Sequence, residues 1–96
     1  MKEQDYQKKI VRHLESKGAY VVKVVAASKK GVPDILACYK GHFLAIEVKT
    51  PLTRANVSKL QDYNLNSVSE AGGISGIAVE VEDIMPMLRA IDNERQ

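Results

Sequence analysis

Two apolar runs interrupted by charge constrain this chain most. Ile35-Leu36-Ala37-Cys38-Tyr39 is headed by Asp34, and Phe43-Leu44-Ala45-Ile46-Glu47-Val48-Lys49 carries Glu47 and Lys49 at its end. Segments 33–39 and 43–49 have the length and composition of strands, and a turn through Lys40-Gly41-His42 can join them as a hairpin. Residues i and i+2 of a strand share a face, so Glu47 and Lys49 stand side by side while Val48 faces the other way. Pairing the two segments lays Asp34 alongside them.

Ionised groups in apolar strands must compensate one another or share an ion. Two carboxylates and an amine so placed suit metal-dependent phosphodiester hydrolysis. A structural ion pair of Lys49 with Asp34 or Glu47 would use the same residues. Three neighbouring features favour chemistry. Pro33 lacks a backbone donor and suits the first residue of a strand, so Asp34 enters the sheet at its rim. The preceding loop, Ala26 to Gly31, carries Ser28, Lys29 and Lys30 and can lie against a phosphate backbone. Thr50-Pro51 then ends the second run abruptly, which leaves loops on the side a substrate approaches.

Charge is distributed unevenly. Residues 1–61 hold 12 Lys and Arg against 5 Asp and Glu, a balance of +7, whereas residues 62–96 hold 2 against 7, a balance of −5. The basic part contains the carboxylate motif, as a site for a polyanion would. With 96 residues the chain is expected to form one domain, 1–96, whose modest core makes oligomerisation a natural supplement. No run of about 18 apolar residues suggests a membrane span, and no hydrophobic leader follows Met1. The lone Cys38 reads as an inert core thiol in a reducing, intracellular setting, the cytoplasm of a bacterial or phage-infected cell. His13 and His42 have no partner at metal-ligand spacing and read as surface residues.

Along the chain, Tyr6, Ile10, Val11 and Leu14 recur at helical spacing between Gln4 and Lys17, before Gly18. Tyr20 to Val25 reads as a strand, followed by the hairpin. Thr53 can cap a helix reaching Ala71, with Val57, Leu60, Asn64, Val68 and Ala71 near one face. Ile74 to Glu80 reads as a strand with a bulge or weak point at Gly76, and a last helix starts near Glu82-Asp83 with Pro86 in its first turn. The predicted order is αβββαβα.

That order, together with Pro33-Asp34 and Glu47-Val48-Lys49, resembles the PD-(D/E)XK nuclease superfamily. Within it, Gly31-Val32-Pro33-Asp34, Ile46 to Pro51 and Ser58-Lys59-Leu60-Gln61 resemble the VRR-NUC family, and the layout is similar to archaeal Holliday junction resolvases. The resemblance implies an α/β restriction-endonuclease-like fold: an αβββαβ core with an additional C-terminal helix and a central mixed four-stranded sheet. It implies that Asp34, Glu47 and the backbone carbonyl of Val48 bind Mg²⁺ or Mn²⁺, and that Lys49 positions or helps deprotonate the attacking water. The family also has a helical glutamine, matched by Gln61, and a first-helix acid. Glu3 is the candidate for that acid, in the second shell or at a second metal. Gln7 lies one turn later on the same face, where the resolvases place their acid, so both alternatives stand.

The expected activity is a divalent-metal-dependent endonuclease on Holliday junctions or other branched DNA in replication, recombination or repair. Ser28, Lys29, Lys30, Arg54 and Lys59 are the expected DNA contacts. A homodimer is expected because a two-fold axis presents two sites to opposed strands; Met85, Met87, Leu88 and Ile91 of the last helix could form its interface or cover the sheet. The alternative is a non-catalytic nucleic-acid-binding module whose acidic cluster is structural.

Overall fold

The computed structural model of the protein describes residues 1–94. Its elements run α1 (Glu3–Ser16), β1 (Tyr20–Lys23), β2 (Ile35–Tyr39), β3 (His42–Val48), α2 (Lys59–Glu70), β4 (Ile74–Ala78) and α3 (Val81–Glu94). The strands form one sheet in the order β1-β2-β3-β4, antiparallel at the first two pairings and parallel between β3 and β4. The mixed sheet and the αβββαβα order match the sequence expectation. Among the described residues, no helix is long and apolar enough to cross a membrane.

Lys40 and Gly41 both have positive φ, 49° and 83°, so the hairpin closes through a two-residue turn and Tyr39 pairs with His42. That register sets Ile35 opposite Ile46, and one step further Asp34 meets the Glu47–Val48 end of β3. Parallel β4 ends at the same edge, where the Lys49 amide donates to Ala78 O at 2.9 Å. Three strand ends therefore meet at one rim.

Helices α1 and α3 cover one face. Tyr6, Ile10 and Leu14 of α1 and Ile84, Leu88 and Ile91 of α3 pack with Ile35, Leu44, Ile46 and Val48. Helix α2 covers only part of the other face, packing against β3 and β4. Tyr20, Val22, Cys38 and Phe43 of the opposite half of that face remain exposed.

Several expectations need correction. Cys38 is exposed, because it points to the face that no helix covers. Helix α2 starts at Lys59 with Ser58 as its cap; Thr53 instead belongs to a turn in which its hydroxyl accepts from the Thr50 amide at 2.9 Å. Its buried residue is Leu65, and Leu60 is exposed. Pro86 lies in the second turn of α3, since that helix begins at Val81. Gly76 sits in regular register opposite Ile46 and makes room for the Met87 methyl, so there is no bulge. His13 is half-buried, with Nε2 shut away from any partner among the described residues. On α3, Leu88 and Ile91 belong to the core, which removes them from any interface.

Candidate active site

The rim collects the charged residues. Glu3 opens α1, Asp34 precedes β2 and Glu47 is the last residue but one of β3, and each offers a carboxylate oxygen within 4.8 Å of the other two. The loop delivering Asp34 is held by α2. Gly31 turns at φ +77°, and a Cβ there would stand 2.7 Å from Leu60 Cγ, so glycine permits the close approach. Asn64 Nδ2 clasps the same loop, donating to Lys30 O at 3.1 Å. At the motif itself Asp34 Oδ2 accepts from the Val48 amide at 2.9 Å, and Val24 N donates to Asp34 O at 2.8 Å. The Val48 amide thus fixes the carboxylate, and Val24 fixes the backbone that carries it.

Glu47 and Lys49 are buried, 4% and 8% exposed. The Lys49 amine donates to Asn56 O at 2.8 Å and to Gln61 Oε1 at 3.1 Å, and it stands 3.9 Å from Glu47 Oε2. Gln61 Nε2 completes the ring by donating to Glu47 Oε2 at 3.2 Å. Gln61 is also the third residue of α2, where its side chain accepts from Ser58 N and its amide donates to Ser58 Oγ. One side chain therefore closes a capping box and orients two charged groups. The Ser-x-x-Gln spacing was the sequence signal for this arrangement, and the Thr53 cap assignment overlooked it. No sequence signal marked the Asn56 carbonyl.

Burial pushes the Glu47 carboxyl up to about 8; repulsion from Asp34 adds to this and outweighs the attraction of Lys49. Glu3 is raised as well, by desolvation first and by Asp34 second. Three crowded acids, one of them holding its proton at neutral pH, are under-compensated by one amine. A hard divalent cation would supply the missing charge, and its oxygen ligands are already present. Gln7 lies 7% exposed beside Glu3, whose carboxyl it draws down, and its Oε1 is buried without a partner among the described residues. The structure brings both Glu3 and Gln7 to the rim.

A sequence model of the archaeal Holliday junction resolvase (Hjc) family matches residues 1–83. The chain belongs to the archaeal Holliday junction resolvase family. Solved structures agree on the fold. A VRR_NUC domain superposes with a TM-score of 0.71 at 20% identity, over 91% of this chain and 94% of that one. Archaeoglobus fulgidus Hjc, a Holliday junction resolvase, superposes with a TM-score of 0.61 at 23% identity, over 80% of this chain and 67% of that one. The fold is thus restriction-endonuclease-like, as the motifs implied. No curated protein matches in sequence.

The remaining expected residues of this Hjc-family chain lie around the rim or beyond it. Ser28, Lys29 and Lys30 are exposed in the loop before Asp34, and Lys59 is exposed at the start of α2. Arg54 is engaged elsewhere, bonded to Asp83 at 3.2 Å. That aspartate also accepts from the Val79 and Glu80 amides, and these bonds to Glu80 and Val79, with Arg54, hold its carboxyl low.

Proposed function

We propose that this protein is a divalent-metal-dependent, structure-specific endonuclease that hydrolyses phosphodiester bonds of branched DNA, Holliday junctions foremost, inside the cell. The observation carrying this reading is the convergence of Glu3, Asp34 and Glu47 within 4.8 Å, beside a buried Lys49, in a member of the resolvase family.

Asp34, Glu47 and the Val48 carbonyl would hold Mg²⁺ or Mn²⁺, with Glu3 in the second shell or at a second ion. When bound, the cation supplies Lewis-acid stabilisation of phosphate charge and lowers the pKa of the attacking water. The chain's own residues do the rest. Glu47 must give up its proton on loading, since its folded pKa is about 8. Lys49, held by Asn56 and Gln61, keeps a cationic donor at the site to orient the water and to meet charge developing at phosphorus. Gln61 keeps Lys49 and Glu47 in register, and Gln7 steadies Glu3. Water attack leaves a 5′-phosphate and a 3′-hydroxyl. Ser28, Lys29, Lys30 and Lys59 would contact the DNA backbone, and Arg54 would do so only by exchanging its bond with Asp83.

The reading includes a homodimer, because cutting opposed strands calls for two sites. Its interface belongs on the exposed Tyr20, Val22, Cys38 and Phe43 face, with a second copy as occupant, since Leu88 and Ile91 of the last helix lie in the core and Met85 is its one large exposed apolar residue among the described residues.

The test is a panel of four-way junction, flap, splayed and linear DNA with Mn²⁺. Cleavage of branched DNA by the parent is expected, with none by Asp34→Ala. Equal cutting by both proteins would remove the enzyme assignment.

A further inference from the structure

The loop between β3 and α2 is stiff, and it stands on the reacting centre. Thr50 to Thr53 form a β-turn in which the Thr53 amide donates to Thr50 O at 3.1 Å, with Pro51 and Leu52 at the two corners. Side chains lock the turn a second time: Thr53 Oγ1 accepts from the Thr50 amide at 2.9 Å and lies 3.1 Å from Thr50 Oγ1. Pro51 fixes its own φ. Further along, Asn56 N donates to Thr53 O at 2.8 Å, and Arg54 ties the loop to Asp83 at 3.2 Å.

At the tip of this turn Leu52 is 93% exposed, more than any other large apolar side chain among the described residues. Single exposed leucines are common on protein surfaces. This one differs in its mounting and its place. The paired threonines beneath it are part-buried and hold the corner outward. Both ends of the loop are fixed at the site: Lys49 precedes the turn, and the Lys49 amine donates to Asn56 O beyond it at 2.8 Å. Leu52 follows Lys49 by three residues, so its Cα stands within about 11 Å of the Lys49 Cα. With bases about 3.4 Å apart along a strand, that reach covers about three base steps.

We propose that Leu52, backed by Pro51, is an apolar wedge that enters between bases at a branch point and so selects branched DNA over continuous duplex. The proposal rests on the nuclease reading, and it names the residue that reads the shape of the substrate. Leucine and proline are among the side chains that insert into base steps and unstack them. Unstacking costs least where pairing and stacking are already broken, as at a branch, and most within intact duplex. A tip ordered before binding loses little freedom on insertion. Leucine carries no charge, so the wedge adds affinity without releasing counterions.

The fluorescent base aminopurine, which brightens when unstacked, reports the insertion. It is placed at the branch point of a four-way junction or in the middle of a linear duplex. Binding is measured in the Asp34→Ala background, and cleavage in Mn²⁺ with Asp34 intact. The junction probe is expected to brighten and the duplex probe to stay dark. Leu52→Ala should abolish the brightening at saturation and lower junction affinity and junction cleavage by roughly 10–100-fold, the worth of one buried leucine side chain. Its duplex affinity, the salt dependence of its binding, its melting and its Mn²⁺ uptake should match the parent's, and Leu52→Met should keep the brightening. If Leu52→Ala brightens the probe and cuts junctions like the parent, or weakens binding to both DNAs equally, the wedge is overturned. A changed oligomeric state in Leu52→Ala overturns it too, by assigning Leu52 to a contact between copies. A parent that cuts junctions without brightening the probe overturns the wedge alone. A parent that cuts no DNA of any shape overturns the nuclease reading, and the wedge with it.

Discussion

Glu47 sets the pH behaviour of the site. Its folded pKa of about 8 lies above the ordinary 4.5, through burial and the neighbouring Asp34. Between those values the metal-free fold binds more protons than the unfolded chain, so stability falls as pH rises from 4.5 through 8 and levels above. Glu3 shifts in the same direction and reinforces the trend. Thermal melts in chelator should show that decline, and Glu47→Gln should largely remove it while abolishing cleavage. Divalent cations compete with the same proton: Mn²⁺ affinity is expected to rise with pH up to about 8, with proton release measurable in weak buffer. An affinity independent of pH would place the cation away from Glu47. Gln61 acts through its neighbours, and Gln61→Ala is expected to lower metal affinity or activity by roughly 10–100-fold, as loss of an orienting partner does. Lys49→Met should cost more, on the order of 10²–10⁴ in turnover.

Helix α2 stabilises the site as much as it covers the sheet. Its Ser58 cap bonds to Gln61, and its Leu60 and Asn64 abut the loop that carries Asp34. Ser58→Ala should therefore destabilise by about 1 kcal/mol and also lower activity, because Gln61 loses the partner that orients it. Gly31→Ala places a Cβ against Leu60 at a positive φ, and a loss of about 1–3 kcal/mol is expected, together with displacement of Asp34. Denaturant titration measures both. Cleavage at full folding separates the local effect from the global one. Element placement was largely legible in sequence, because apolar periodicity and Gly punctuation are local properties. The start of α2 was not, since Thr53 and Ser58 are both competent caps. Only packing against β3 and the ring around Lys49 selects Ser58.

At the scale of the whole molecule, the half-covered sheet is the feature that remains exposed. If Tyr20, Val22, Cys38 and Phe43 meet a second copy, gel filtration at micromolar concentration should give a dimer, and Phe43→Glu should give a monomer that still takes up Mn²⁺. A monomeric parent would remove the dimer. Of the two roles open to Leu88 and Ile91, interface or sheet cover, the structure selects the second; an apolar helix stripe looks the same in sequence whether it faces the sheet or a partner. Cys38 failed for the related reason that strand alternation does not say which face a helix will cover. The sequence by itself determined the αβββαβα order and the pairing that brings Asp34 to Glu47 and Lys49, because hairpin register and strand alternation follow from neighbouring residues. Tertiary structure alone decided that Glu3 and Gln7 both reach those strand ends and that Asn56 and Gln61 hold Lys49. It also decided that Lys23 lines the hollow beside Glu3 and Asp34. Those contacts join residues distant in the chain, and their geometry depends on how helices dock against a finished sheet.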